Sequence, residues 1–295
     1  MKNIMLRAVS CFIATFFAAS FCVLTLSKEK MIISGNFDEK PYKGDLTYQD
    51  ILKKMDSANK ALGNYSFTMV SERKTYLLKQ KIHDRSEQGV KTMISAENAP
   101  DIENFEANIK FMQPYLHQTE ILHSDLAPSS FIGAKLTYRS DKDKNAFWVK
   151  AKKVPASLKR KFEKGKGGKL FSSNFLSLYL SALYYSQNGS MSIGGSATVN
   201  KIDCVILRAY FARNDQKKWN RQKPPYAAYS IPDQIATLMW NDMLEFEESP
   251  ISRIDYYIDS KKFVPVAVSE YVGKDRLSYT EFKNLKTNYL KPQDF

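Results

Sequence analysis

The sequence predicts an α+β protein built on an antiparallel sheet, and three observations carry the prediction. Period-two alternation recurs from Tyr65 to the C-terminus, with turn residues between the runs. The aromatic content is high, with 18 Phe and 17 Tyr, and aromatics favour pleated, half-buried surfaces. The order helix, several strands, helix, strands, helix, strands is that of an antiparallel α+β layout in one domain.

Residues 1–27 read as a secretory signal peptide or an N-terminal membrane anchor. Lys2 and Arg7 form a basic start, and Ala8 to Leu26 carries no charge. That run is about 19 residues, just long enough to span a bilayer. Small residues suited to cleavage stand at Ala18/Ser20 and Thr25/Ser27, so cleavage is favoured over anchoring by residues 8–26. Bulky Phe21 argues against lipidation of Cys22. Cys204 is then the one cysteine of the mature chain, which excludes an internal disulfide or a cysteine metal site, and its strand context IDCVILRAYF makes it a core residue. Formal charge is +13, and +11 without Lys2 and Arg7. A basic exported chain suits anionic lipid or an acidic polymer rather than nucleic acid.

Leu46 to Leu62 is an amphipathic helix, with Thr47 and Asp50 as a capping box and Gly63 as its stop. Tyr65, Phe67 and Met69 alternate with Ser66, Thr68 and Val70 as the first strand, and Thr75 to Ile82 reads as a second. Ser86 to Asn104 reads as loop. ANIKFMQ, interrupted by Pro114, and Tyr115 to Leu122 are strand-like. Lys135 to Tyr138 and Asn145 to Ala151 form a hairpin around Asp141 to Lys144. Leu170 to Gln187 suits a buried helix. Ser192 to Val199 and Lys201 to Phe211 are two more strands, and Lys217 to Tyr229 is a loop. Ser230 to Glu247 is a helix with Ser230 as cap, Pro232 in the first turn and Asp233 completing a capping box. Arg253 to Asn288 closes the chain as a three-stranded meander.

Catalytic patterns are weak. His117 and His123 are six residues apart, roughly 20 Å along a strand, and read, with His83, as ordinary strand and surface histidines. Ser71-Glu72-Arg73-Lys74 matches S-x-x-K but continues a strand. Asp255 and Asp259 read as solvated positions. The expectation is therefore no enzyme, no metal and no cofactor. Between Lys150 and Lys169 stand nine Lys/Arg against one Glu. The plain reading is a solvated loop; the sharper one is contact with an anionic surface through Lys152, Lys153, Lys159, Arg160 and Lys161. Tyr65, Phe67, Met69, Ile109, Phe111, Trp148, Tyr256, Tyr279 and Phe282 would decorate a sheet face. Core packing accounts for any one of them, while together they suit an apolar cavity for acyl chains.

The C-terminal residues carry a family resemblance. IDYYIDSKKFVPVAVSEY followed by GKDRLSYTEFKNLKTN resembles the end of the outer-membrane lipoprotein-sorting (LolA/LolB-like) superfamily, at Asp259, Pro265, Tyr279, Phe282, Asn284 and Asn288. The helix before the first strand, the break FMQPYLHQTEIL, NAFWVKAK and KIDCVILRAYF are similar to its other elements. The resemblance implies a strongly curved antiparallel sheet, an unclosed β-barrel, with helices capping the concave face. It implies a carrier or sensor in the periplasm of a Gram-negative bacterium that holds acyl chains of a lipid or lipoprotein by burial, as a monomer. His117 and Gln118 stand where carriers often place a basic residue after the Pro break. Residues 28–295 would form one such domain, with insertions near 150–187 and 216–248. The alternative is an envelope interaction module that binds a protein partner or acidic polymer through the 150–169 segment.

Overall fold

The computed structural model describes residues 37–80, 99–127, 129–142, 146–150, 156, 170, 173–211 and 219–295. In chain order the elements are α1 (Tyr48–Ala61), β1 (Asn64–Lys74), β2 (Ile102–Met112), β3 (Leu116–Ser124), β4 (Lys135–Arg139), β5 (Phe147–Lys150), α2 (Phe175–Asn188), β6 (Ser190–Val199), β7 (Ile202–Tyr210), α3 (Asp233–Glu247), β8 (Arg253–Asp259), β9 (Pro265–Val272) and β10 (Asp275–Thr287). The ten strands form one antiparallel sheet ordered β5-β4-β3-β2-β1-β10-β9-β8-β7-β6. It is not closed: β5 and β6 are its two edges. β10 returns to pair with β1 at the centre, joining the two halves of the chain.

The sheet has two unlike faces. One buries Tyr65, Phe67, Met69, Ile109, Phe111, Leu207, Tyr256 and Phe282 in a single core with α1, α2 and α3. We call it the helix face. The opposite face carries a smaller cluster, Ala197, Val199, Cys204, Ile206, Tyr257, Val266, Ala267 and Tyr279, against which Phe37 packs. The expected α+β class, an unclosed antiparallel sheet with helices on one face, is what the chain forms.

The termini of α1 follow the capping chemistry: Thr47 Oγ1 accepts from Asp50 N–H at 3.2 Å, and Asp50 Oδ2 accepts from Thr47 N–H at 3.0 Å. The C-terminal meander follows its sequence signals too. Asp259 Oδ1 accepts from the N–H groups of Lys261 and Lys262, a tight aspartate turn before Pro265 opens β9. Asn284 and Asn288 of the C-terminal motif have φ of +56° and +59°, a region that asparagine enters more readily than other side-chain-bearing residues.

Four expectations need correction. Residues 76–80 are helical, not strand: Thr75 Oγ1 donates to the Asp101 carbonyl, and Thr75 O accepts from Lys79 N–H, which turns the chain off the sheet. Strand β2 starts at Ile102, inside the stretch read as loop. Ser230 does not cap α3; Pro232 precedes it with no side-chain cap, and Ser230 sits at φ +51° at the end of a single turn over Tyr226–Tyr229. Asp255 and Asp259 are buried rather than solvated: Arg208 engages both oxygens of Asp255 at 2.7 and 2.9 Å, and Asp259 Oδ1 turns inward to accept from Lys261 and Lys262 N–H. His83 and Lys152, Lys153, Lys159, Arg160 and Lys161 lie outside the described residues.

Candidate functional site

Seven of the nine residues expected to line a cavity share the helix face: Tyr65, Phe67, Met69, Ile109, Phe111, Tyr256 and Phe282. Tyr279 does not. It stands three residues from Phe282 on the same strand, and an odd separation places the two side chains on opposite faces; Tyr279 packs with Tyr257 and Phe37 instead. Trp148 lies between Phe147 and Val149, both in the helix-face core. It therefore projects the other way, with the Arg139 guanidinium 6.0 Å from its ring.

The seven do not line an empty trough. The first turn of α2 is laid onto them. The Phe175 ring stacks on Phe67 at 4.8 Å and on Tyr65 at 4.9 Å, and meets Phe282 edge-on at 5.7 Å. The aromatic chain continues through Tyr65–Phe111 at 5.2 Å, Phe111–Tyr115 at 5.2 Å, Tyr115–Tyr138 at 5.8 Å and Tyr138–Phe147 at 4.7 Å. Such pairs add about 0.5–1.5 kcal/mol each beyond area burial.

Hydrogen bonds fix that turn to the sheet. A helix start leaves four N–H groups without intrahelical partners. Asn174 is the N-cap, and its Oδ1 accepts from Ser177 N–H at 2.9 Å. Its Nδ2 donates to Tyr115 Oη at 3.0 Å. Phe175 N–H donates to Tyr65 Oη at 3.0 Å, so a strand tyrosine caps the helix from below. Upstream, Thr119 Oγ1 donates to the Leu170 carbonyl. His117, fully buried rather than a surface histidine, meets the Ser173 carbonyl with Nε2 at 3.4 Å. That contact requires the Nε2–H tautomer and leaves buried Nδ1 without a partner. Burial pulls the His117 pKa down to about 4, the contact with Ser173 opposing weakly.

The far side of the helix layer is tied by a second network. Tyr229 Oη donates to Asp56 Oδ1 at 2.6 Å, linking the turn before α3 to α1. Tyr184 Oη of α2 donates to Glu247 Oε1 of α3 at 2.8 Å. Arg221 pairs with Glu247 Oε2 at 3.0 Å. The hydrophobic spacing of α2 and α3 was legible; Asn174, Phe175, Tyr115 and Thr119 were missed. For Asn174 a signal existed, since an Asn directly before an apolar run marks a helix start.

What this arrangement offers chemically is apolar surface under a pinned helix end. Among the described residues, no group of three or more His, Cys, Asp or Glu is placed to hold a metal. Cys204 is buried, and burial raises its thiol to about 12, which keeps it protonated.

No protein-family model matches the sequence, and no curated protein matches it. Solved structures do match, at low identity. One is Pseudomonas aeruginosa MucB in its complex with MucA, at 10% identity and a TM-score of 0.40, covering 84% of this chain and 59% of that one. This chain thus spans about three fifths of the MucB length. Another is the Mycobacterium tuberculosis lipoprotein LppX, at 9% identity and a TM-score of 0.38, covering 83% and 97%. A third is a LolA-superfamily protein of Nitrosomonas europaea, at 10% identity and a TM-score of 0.30, covering 85% and 98%.

Proposed function

We propose that this chain is an exported, non-enzymatic protein of the bacterial envelope that holds acyl chains of a lipid or lipoprotein against the helix face of its sheet. The observation that carries the reading is the stack of Tyr65, Phe67 and Phe282 under Phe175. These rings form a continuous apolar floor, and its cover is one helix end rather than another sheet. An acyl chain would bind by taking the place of Phe175 and the first turn of α2. Each buried CH₂ is worth about 0.8 kcal/mol, so ten or so methylenes supply roughly 8 kcal/mol. Against it stand the roughly 3–5 kcal/mol that an aromatic leaving its packed site costs and about 1 kcal/mol for each hydrogen bond of that turn that breaks. Periplasmic export rests on residues 1–27, and the monomeric state is part of the same proposal.

Native mass spectrometry of protein purified from the envelope tests it. Co-purifying lipid, exchangeable for added fatty acid, is expected; repeated absence of any bound or exchangeable lipid removes the reading. The second reading, docking of a protein partner or acidic polymer through Lys152, Lys153, Lys159, Arg160 and Lys161, is supported by the nine basic residues between Lys150 and Lys169. Replacing those five by Gln would abolish such docking and leave lipid uptake intact.

A further inference from the structure

The helix face is not apolar along its whole length. Following β1 from Tyr65, the rows that cross the sheet change character. At Tyr65, Phe67 and Met69 the cross-strand neighbours are Phe111, Ile109, Ala107 and Phe282. At Ser71 the partner on β10 is Thr280, and the two hydroxyls hydrogen-bond at 2.9 Å. At Arg73 the row reads Glu103 on β2, Arg73 on β1, Ser278 on β10 and Glu270 on β9. All four point to the helix face, because each lies an even number of residues from Phe105, Met69, Thr280 or Val268. Arg73, Ser278 and Glu270 are 7%, 6% and 3% exposed, and Ser278 Oγ donates to Glu270 Oε2 at 2.8 Å. Arg73 lies in the field of both Glu270 and Glu103.

From this gradient we infer that the row Glu103–Arg73–Ser278–Glu270 is the head-group end of the acyl-binding face, suited to a zwitterionic amine-bearing phosphate head. The inference rests on the acyl-binding reading above and deepens it. Dimensions support it. Tyr65 to Met69 spans roughly 13 Å at strand rise. One acyl chain spans about 15 Å, half the hydrocarbon core of a bilayer. A chain laid on the aromatic floor thus brings its head to the Ser71/Thr280 hydroxyls and the charged row beyond. That row alternates in sign, with a cation between two carboxylates. A phosphate faces Arg73 while an ammonium faces Glu103 or Glu270. With both carboxylates ionised the row is net negative, so a head bearing only negative charge is disfavoured. Burial raises Glu103 to about 7, against the pull of Arg73, and an adjacent ammonium would restore its charge.

The test loads the full chain from vesicles of equal phosphatidylethanolamine and phosphatidylglycerol and analyses the extracted lipid. The wild type is expected to favour phosphatidylethanolamine about tenfold, the worth of one charge-assisted hydrogen bond. Glu103→Gln, isosteric and at a partly exposed position, should erase most of that preference. Ser278→Ala, which removes the hydroxyl donor to Glu270, gives an independent readout and should shift the preference as well. Equal loading of both lipids by the wild type, or a preference untouched in both variants, overturns the inference and leaves acyl binding standing. Loading of neither lipid overturns both.

Discussion

Replacing Phe175 by Ala separates a structural core residue from a displaceable cover. Phe175 is 1% exposed and touches three rings at 4.8, 4.9 and 5.7 Å. A Phe→Ala change at such a site costs about 3–5 kcal/mol. The same contacts oppose ligand entry if an acyl chain must lift Phe175 off the sheet. In F175A that opposing term is gone before the ligand arrives. Even 1.4 kcal/mol of it, less than half, tightens binding about tenfold. The expected pattern is thus a lower urea midpoint together with a lower Kd for a fluorescent fatty acid, measured on folded protein below the transition. Loss of stability with unchanged or weakened binding would refute displacement and make Phe175 an ordinary core residue.

Tyr65→Phe removes the buried acceptor of Phe175 N–H and should cost about 1–3 kcal/mol, with faster amide exchange confined to the start of α2. His117 predicts a pH dependence. Its folded pKa of about 4 lies below the ordinary 6.5, so the unfolded chain binds the extra proton between those values. The stability that neutral His117 contributes is complete above pH 6.5 and is lost as pH falls toward 4, about 3 kcal/mol over the window. Glu103, raised to about 7, acts in the opposite sense, losing its contribution as pH rises from 4.5 to 7. The difference between wild type and His117→Asn therefore isolates the histidine, and an identical pH slope in both would contradict its buried placement. Gly195→Ala should detach the segment around Lys40 from the sheet edge. Gly195 sits at φ +144°, and a Cβ there would lie 2.7 Å from the Lys40 carbonyl, which pairs with Ser196. Proteolysis near residue 40 should accelerate while the rest of the fold persists.

Most of the architecture was legible because a sheet with one covered face writes period two into its strands. Asp259, Pro265, Asn284 and Asn288 entered through the family resemblance, and in the fold each stands at a turn, a strand start or a left-handed backbone position. Thr75 to Ile82 was misread because a short apolar run has no decisive period, and the turn into helix depends on Thr75 reaching Asp101 across the fold. The site was half legible. Alternation identifies which residues share a face within one strand, and the three-residue spacing of Tyr279 and Phe282 already forbade a common one. Which face the helices cover, and that Asn174 and Tyr65 hold α2 there, arises from contacts 110 and 59 positions apart in sequence, beyond any local pattern. The buried state of His117 and Asp255 has the same origin: each is paired by a distant segment.

The proposed binding mode lays acyl chains on the helix face, in place of Phe175. Photo-crosslinking with a fatty acid that carries a diazirine on its chain, followed by mass-spectrometric mapping, tests it directly. Labels are expected on Tyr65, Phe67, Phe111 and Phe282. Labelling centred on Tyr279 and Tyr257, on the opposite face, would contradict it.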